Sequence, residues 1–196
     1  VQVKAAMPPE TFKDGGLRLT ALGGSPNSFN VVASGDWNTT FPLAAVSSDG
    51  RMPGELVMDV SAAPGASSTR PVASVFWNGI LLAAKQLDAN GKPERLTARV
   101  PGYALGVTNA VRVTFQRQPV SVDCNEIPQG YPVNVLPTSY VKPDRAEPDG
   151  TFVGLLPLLA GSPQVIVPDS YLADAPDNLK RLIGIASASG VSTTRA

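Results

Sequence analysis

The sequence predicts a mainly β fold, a jelly-roll β-sandwich followed by the opening βα unit of an α/β domain. Three observations carry this prediction. The 196 residues include 18 glycines and 19 prolines, which interrupt helices and favour short strands and turns. Several segments alternate apolar and polar residues with a period of two, as half-buried strands do. An Asn-Gly pair also separates two apolar segments, as in a two-residue hairpin turn.

The alternating segments place about seven strands before residue 117. In GELVMDVSA the apolar residues Leu56, Met58 and Val60 share one face, and NAVRVTFQRQ alternates most clearly of all. Asn78-Gly79 predicts a type I′ hairpin, and Trp77 is expected to face inward, in phase with Val75. The predicted strands lie near 17–22, 28–33, 56–60, 72–77, 80–87, 95–100 and 111–116.

The C-terminal part has a different pattern. After the Pro- and charge-rich stretch YVKPDRAEPDG, the apolar run 165–167 in SPQVIVPDS is typical of a strand buried on both faces of a parallel sheet. A helix is expected from about Pro176 to Gly190, with Leu179, Leu182, Ile183 and Ala186 at helical spacing. One strand and one helix cannot enclose a core. We therefore expect a sandwich over 1–141, a connector over 142–162 and a partial α/β domain over 163–196.

Composition excludes several classes of function. The chain has no histidine and one cysteine, so Cys–His catalysis and a zinc site built from soft ligands are excluded. Sixteen basic residues balance sixteen acidic ones, so nothing attracts nucleic acid or an anionic membrane over long range. No apolar run approaches the roughly 20 residues of a membrane span. We expect any membrane contact to need a segment absent from this chain.

The lone cysteine lies in VSVDCNEIP, directly after a predicted strand. A disulfide within the chain is impossible, and pairing of Cys124 with a cysteine outside the chain stays open. The segment is either a landmark at a junction between domains or a loop with a chance cysteine.

The order of these pieces resembles a known family. The hairpin VFWNGILLAAKQL is followed by LTARVPGYALGVTNAVRVTF, VSVDCNE, and then VIVPDS with a helix. This order is similar to that of the periplasmic B subunit of bacterial cellulose synthase, also labelled the cyclic-di-GMP-binding or regulatory subunit. The resemblance covers roughly residues 28–190. Its most specific elements are the Asp123-Cys124 pair after the strand and VIVPD about forty residues later.

The resemblance implies a fold, a location and partners. It implies a sandwich similar to a carbohydrate-binding module, then a flavodoxin- or ferredoxin-like α/β domain. It also implies a periplasmic protein whose full-length form is anchored in the inner membrane, and which contacts the membrane-embedded catalytic subunit and guides the β-1,4-glucan. The cyclic dinucleotide would act on the cytosolic side, on that catalytic partner. Asp123 and Cys124 would then be structural landmarks, with Asn125 and Asp123 orienting the exit from the sandwich.

A surface that receives cellulose needs aromatic rings to stack on the apolar faces of the sugar, and amides or carboxylates to bind its hydroxyl groups. The predicted loops SGDWNTTFPL, PGYALG and QGYPV supply such residues. Trp37 is equally compatible with a place in the core. The candidate glucan-binding residues are Trp37, Phe41, Tyr103 and Tyr131, with Asp36 and Asn38 as hydrogen-bonding groups.

Catalysis and cofactors are not expected. A glycosidase pair such as Asp36 and Asp59 would need a fixed separation across a cleft, which the sequence does not indicate. The chain has no phosphate-binding loop, and the arginine spacing of RLTAR is a chance match to cyclic-di-GMP receptors. Two other functions stay open: a carbohydrate-binding module of a polysaccharide-degrading enzyme, and a purely structural sandwich that mediates subunit packing.

Overall fold

The computed structural model describes residues 16–47, 51–64, 69–117, 130–145, 150–154 and 168–188. Ten strands in this part of the chain form two antiparallel sheets packed as a sandwich, so the predicted mainly β fold is confirmed. The strands are β1 (Leu17–Arg18), β2 (Phe29–Val31), β3 (Ser34–Pro42), β4 (Arg51–Ala62), β5 (Val72–Trp77), β6 (Ile80–Gln86), β7 (Glu94–Arg99), β8 (Thr108–Gln116), β9 (Tyr131–Val135) and β10 (Tyr140–Arg145).

The strand order is that of a jelly roll. The first sheet contains the neighbours β2, β9, β4 and β7, and the second contains β3, β8, β5 and β6. From β2 to β9 the chain changes sheet at every connection except the β5–β6 hairpin, which gives two interleaved four-stranded sheets. The short strands β1 and β10 extend the first sheet. β10 pairs with residues 51–57 of β4, β9 pairs with residues 60–62 of the same strand, and β1 pairs with β10.

The core lies between the sheets and is filled from alternate positions of both. Leu56 and Met58 of β4 meet Val75, Trp77 and Phe115 of the second sheet, and all five side chains are fully buried. Trp77 therefore faces inward, as its phase with Val75 predicts. The Phe41 ring packs edge-on against Trp77, with ring centroids 5.6 Å apart. A single apolar cluster thus joins the two sheets.

Local signals place the central hairpin correctly. The chain turns at Asn78 and Gly79, whose φ angles are +48° and +83°, as a type I′ turn requires.

The predicted first strand, 17–22, is too long, because pairing ends at Arg18. There the chain turns on itself, and the Gly24 amide donates to the Leu19 carbonyl at 2.8 Å.

Three strands are absent from the sequence-based prediction. SGDWNTTFPL is predicted as a loop, yet Ser34–Pro42 forms β3, which pairs with β8 along its full length. β9 was also missed. Part of the predicted connector forms β10, which pairs with β4 and continues to Arg145, beyond the predicted end of the sandwich at 141.

The C-terminal helix, α1 (Ala175–Ala188), begins one residue before the predicted start. Its apolar residues Leu179 and Ile183 are 58% and 52% exposed. The apolar run 165–167 and Gly190 lie outside the described residues, so the βα unit and the division into domains stay predictions. In the described ranges, no helix has the length and apolar character needed to cross a membrane.

Candidate functional site

Three of the four predicted aromatic residues are buried, so they cannot offer a stacking surface. Trp37 and Phe41 alternate with polar residues along β3 and point into the sandwich, with 5% and 3% of their surface exposed. Tyr131 begins β9 opposite Val31 and is 1% exposed. The expectation that these three residues lie on loops is wrong: their segments are strands with one buried face, so their rings are not accessible for stacking.

Trp37 holds the preceding loop against β3. Its indole Nε1 donates to the Ser25 carbonyl at 2.7 Å, and the ring lies against Gly24, where a Cβ atom would clash with it. Two residues along β3, the buried Thr39 hydroxyl donates to the Leu22 carbonyl at 2.7 Å. Trp37 is therefore a packing residue that fastens the Leu22–Ser25 stretch to β3.

Tyr131 has an equally structural environment. The Arg117 guanidinium lies 4.5 Å from the centre of its ring, and both side chains are buried. The phenol hydroxyl has no hydrogen-bond partner within the described part of the chain. Burial raises the pKa of Tyr131, and the positive charge of Arg117 opposes that rise. This ring is not accessible to a polymer.

Tyr103 is the predicted aromatic residue that is accessible, with 81% of its surface exposed. It lies in a 3-10 turn, Gly102–Ala104, between β7 and β8, which we call the Tyr103 turn. The Ala104 amide donates to the Pro101 carbonyl at 2.9 Å, and both Ala104 and Leu105 are buried. The turn is thus anchored on the core side while its tyrosine ring points into solvent.

The buried residue Asn109 supports the connection between β7 and β8 through side-chain hydrogen bonds. Asn109 is fully buried, and its Oδ1 accepts hydrogen bonds from Trp77 Nε1 at 3.1 Å, Asn78 Nδ2 at 3.0 Å and the Gly106 amide at 2.9 Å. Its Nδ2 donates to the Gly106 carbonyl at 2.7 Å. The side chain therefore connects the core tryptophan, the hairpin tip and the β7–β8 connection.

Asn78 completes the bracing. Its Nδ2 also donates to the Ala104 carbonyl at 2.8 Å, and its Oδ1 accepts the Ala110 amide at 2.7 Å. These bonds hold the Tyr103 turn to the Asn78-Gly79 hairpin by side chains that cannot rotate without losing partners. Asn78 was predicted only as a turn residue and Asn109 was missed. The available signal was an asparagine directly before the strongest strand, in GVTN.

Asp36 and Asn38 point away from Trp37, onto the outward face of the second sheet. Arg112 is the cross-strand neighbour of both Asn38 and Phe76 there. Its guanidinium lies 4.4 Å from the centre of the Phe76 ring and 3.7 Å from the Asp36 carboxylate. The predicted hydrogen-bonding groups are thus exposed, as expected, but the nearby aromatic ring is covered by an arginine. Phe76 and Arg112 were both missed, although each alternates with core residues.

A second polar cluster lies on the outward face of the first sheet. Asp59 accepts a bidentate pair of hydrogen bonds from Arg95, at 2.7 and 2.9 Å. The hydroxyl of Ser139 accepts the Asp59 amide at 2.9 Å and donates to the Asp59 carbonyl at 3.1 Å, where pairing passes from β9 to β10. Asp36 and Asp59 are therefore on opposite faces of the sandwich and do not flank a common cleft.

This cluster predicts a dependence of stability on pH. The hydrogen bonds from Arg95 hold the pKa of Asp59 below its ordinary value, against the opposing effect of burial. A carboxylate with a lowered pKa stabilises the fold above its unfolded-state pKa, and that stabilisation is lost as pH falls through the folded-state value. We expect Asp59→Asn to reduce the loss of stability below about pH 4, measured by urea denaturation from pH 6 downward. Asp174→Asn is the control. An unchanged acid dependence in Asp59→Asn would contradict this account.

The remaining predicted landmark residues, Asp123 and Cys124, lie outside the described residues. Within the described ranges, no group of three or more cysteine, aspartate or glutamate residues is placed to hold a metal ion.

No protein-family model and no curated protein matches the chain. Among solved structures, it is similar to the C-terminal domain of EclA, a sugar-binding protein, at 11% identity and a TM-score of 0.38, with 56% of this chain and 75% of that chain covered. It is also similar to dimeric latent PorU from Porphyromonas gingivalis, at 16% identity and a TM-score of 0.38, covering 65% of this chain and 12% of that one.

A third similarity is to the acetyl xylan esterase Est2A from Butyrivibrio proteoclasticus, at 13% identity and a TM-score of 0.31, covering 61% of this chain and 27% of that chain. The chain thus spans only a small part of the esterase and of PorU. None of the three is a cellulose synthase subunit. TM-scores of this size, at identities of 11–16%, do not show a shared ligand or activity.

Proposed function

We propose that this chain is a non-catalytic glycan-binding module and that the Tyr103 ring is where the sugar stacks. The observation that carries the proposal is the exposure of this ring, 81%, on a turn braced from the core. An aromatic face left in solvent is accessible to a ligand, and the apolar face of a pyranose ring is a suitable partner for it.

The bracing matters for affinity. A side chain on a mobile loop loses conformational entropy when a ligand orders it, and this loss weakens binding. Asn78 and Asn109 fix the backbone directly after Tyr103, at Ala104 and Gly106, before any ligand arrives. The Tyr103 backbone is therefore already in position when a ligand arrives, and less conformational entropy is lost on binding.

We further propose that the ligand is a β-1,4-glucan and that the chain is part of the periplasmic B subunit of a bacterial cellulose synthase. The order of the hairpin, the VSVDCNE segment and the VIVPDS segment supports this proposal, and a jelly-roll sandwich is compatible with it. In that setting the protein is anchored to the inner membrane by a segment outside this chain. It has no cofactor, and it contacts the membrane-embedded catalytic subunit while guiding the emerging polymer.

The test is isothermal titration calorimetry with a soluble cello-oligosaccharide. Tyr103→Ala is expected to weaken affinity about tenfold or more, since an aromatic stacking contact contributes roughly 1–3 kcal/mol. Tyr103→Phe keeps the ring and should bind nearly as the native chain does. Leu81→Ala, which removes an exposed apolar side chain from β6, is the matched control.

Equal affinity of the native chain and Tyr103→Ala would contradict the proposal. Absence of any binding to the native chain would favour a structural sandwich that acts through contacts with the synthase. A carbohydrate-binding module of a degrading enzyme would bind in the same way, and the complete gene product would separate it, since that product would then contain a hydrolase domain.

A further inference from the structure

A pocket lies on the outward face of the first sheet, and none of the residues of the Tyr103 turn lines it. Its volume is about 390 Å³, within the range of small-ligand sites. It forms where the pairing of β10 with β4 shifts register between Lys142 and Pro143. Such irregularities redirect side chains and often occur beside functional sites. The lining residues are Gly54, Glu55, Arg99, Lys142, Pro143 and Asp144.

Strand register gathers the charged side chains of the pocket. Glu55 is the cross-strand neighbour of Arg99 on one side and of Lys142 on the other, so all three point to the same face. Asp144 approaches from β10 over Gly54, and a Cβ atom at Gly54 would collide with the Asp144 side chain. Glycine at this position therefore admits the fourth charged group.

The four charged groups do not neutralise one another. In the described ranges, none of Glu55, Arg99, Lys142 and Asp144 forms an ion pair within 4.0 Å. Among the residues that the structure describes, the Asp144 carboxylate accepts a hydrogen bond only from the Arg145 amide, at 2.7 Å. The pocket thus offers two carboxylates that accept hydrogen bonds and two cations that donate them.

This balance of charge indicates the kind of ligand. A simple anion would be repelled by Glu55 and Asp144, and a simple cation by Arg99 and Lys142. Hydroxyl groups donate and accept, so a neutral polyhydroxylated ring can satisfy both pairs at once. Tyr140, the preceding outward-facing residue of β10, lies in the next cross-strand row, opposite Val57, and brings an aromatic side chain beside the polar groups.

We propose that this pocket binds one pyranose ring of a neutral glycan, as a contact separate from the Tyr103 turn. The inference rests on the proposed function for the class of ligand, but its residues are independent of Tyr103. Two contacts on one module would hold successive parts of a polymer and raise its overall affinity through effective concentration.

The test is backbone-amide NMR of the native chain titrated with cellobiose. A double variant, Glu55→Gln with Arg99→Gln, removes one negative and one positive charge, so the net charge is unchanged and both side chains stay polar. Its matched control is Arg70→Gln with Asp88→Asn, which removes an exposed ion pair elsewhere. Amide shifts at Gly54, Glu55, Arg99 and Lys142 are expected, and the double variant should weaken binding at these positions about fivefold or more.

Shifts at the Tyr103 turn without shifts at the pocket would overturn this inference and leave the proposed function standing. Cellobiose shifts at neither place would overturn both. The zwitterion β-alanine is a further arm, because it also offers one positive and one negative group. Equal shifts at the pocket with β-alanine and cellobiose would overturn the assignment to a neutral glycan. An affinity in the double variant equal to that of the control would overturn it too.

Discussion

Replacing Trp37 by alanine is expected to lower the free energy of unfolding by about 3–5 kcal/mol, the usual cost of truncating a buried tryptophan. The Trp37 side chain is 5% exposed and belongs to the apolar core cluster. Its loss also breaks the 2.7 Å bond to the Ser25 carbonyl, so that the Thr39–Leu22 bond is left to hold the Leu22–Ser25 stretch to the strand. Urea denaturation followed by far-ultraviolet circular dichroism measures the change.

The control for this variant is Asn38→Ala on the same strand, whose side chain is exposed and should change stability little. A Trp37→Ala chain with native stability and no affinity for cello-oligosaccharide would contradict the assignment of Trp37 to the core. It would return that residue to the stacking role suggested by its sequence neighbours.

Asn109→Ala is expected to cost about 2–4 kcal/mol, although the side chain is polar and small. Its Oδ1 accepts three donors, one of them the indole N–H of the fully buried Trp77. Alanine leaves the buried indole N–H of Trp77 without its partner and removes one acceptor from the Asn78 and Gly106 amides, and a buried unpaired donor is costly. The measurement is again urea denaturation.

Thr108→Ala, at the exposed neighbouring position, is the matched control. Asn109→Ala should also weaken cello-oligosaccharide binding with Tyr103 intact, because the turn loses its bracing. A variant with native stability would show that the bonds of Asn109 are replaceable. That result would remove the argument that the Tyr103 turn is held in place before binding.

Much of the sandwich follows from local patterns. The period-two alternation of β4, β7 and β8 and the Asn-Gly turn between β5 and β6 are sufficient to place those strands. Trp77 could be assigned to the core because it is in phase with Val75 on a segment already recognised as a strand. β3 was missed because residues such as Gly35 and Asn38 favour turns, and the strand forms only by pairing with β8, which lies 66 to 82 positions later in the sequence.

The candidate site was predicted less well for the same reason. Trp37 and Asp36 are adjacent in sequence. Adjacent residues on a loop can contact the same ligand, whereas adjacent residues on a strand point to opposite faces of the sheet. Tyr103 was predicted correctly as exposed because its turn is local, between Pro101 and Gly106. The pocket at Glu55 was not predictable, because Arg99 and Lys142 meet it only through long-range register.

The central claim is that the Tyr103 turn binds a glucan. The most direct measurement is chemical-shift mapping of the native chain with a soluble cello-oligosaccharide, with a non-glucan oligosaccharide as control. The account predicts that the shifts include a cluster at Gly102–Ala104 and the adjoining Asn78-Gly79 tip, for the glucan only. Shifts absent from these residues, or equal shifts with the control sugar, would contradict it.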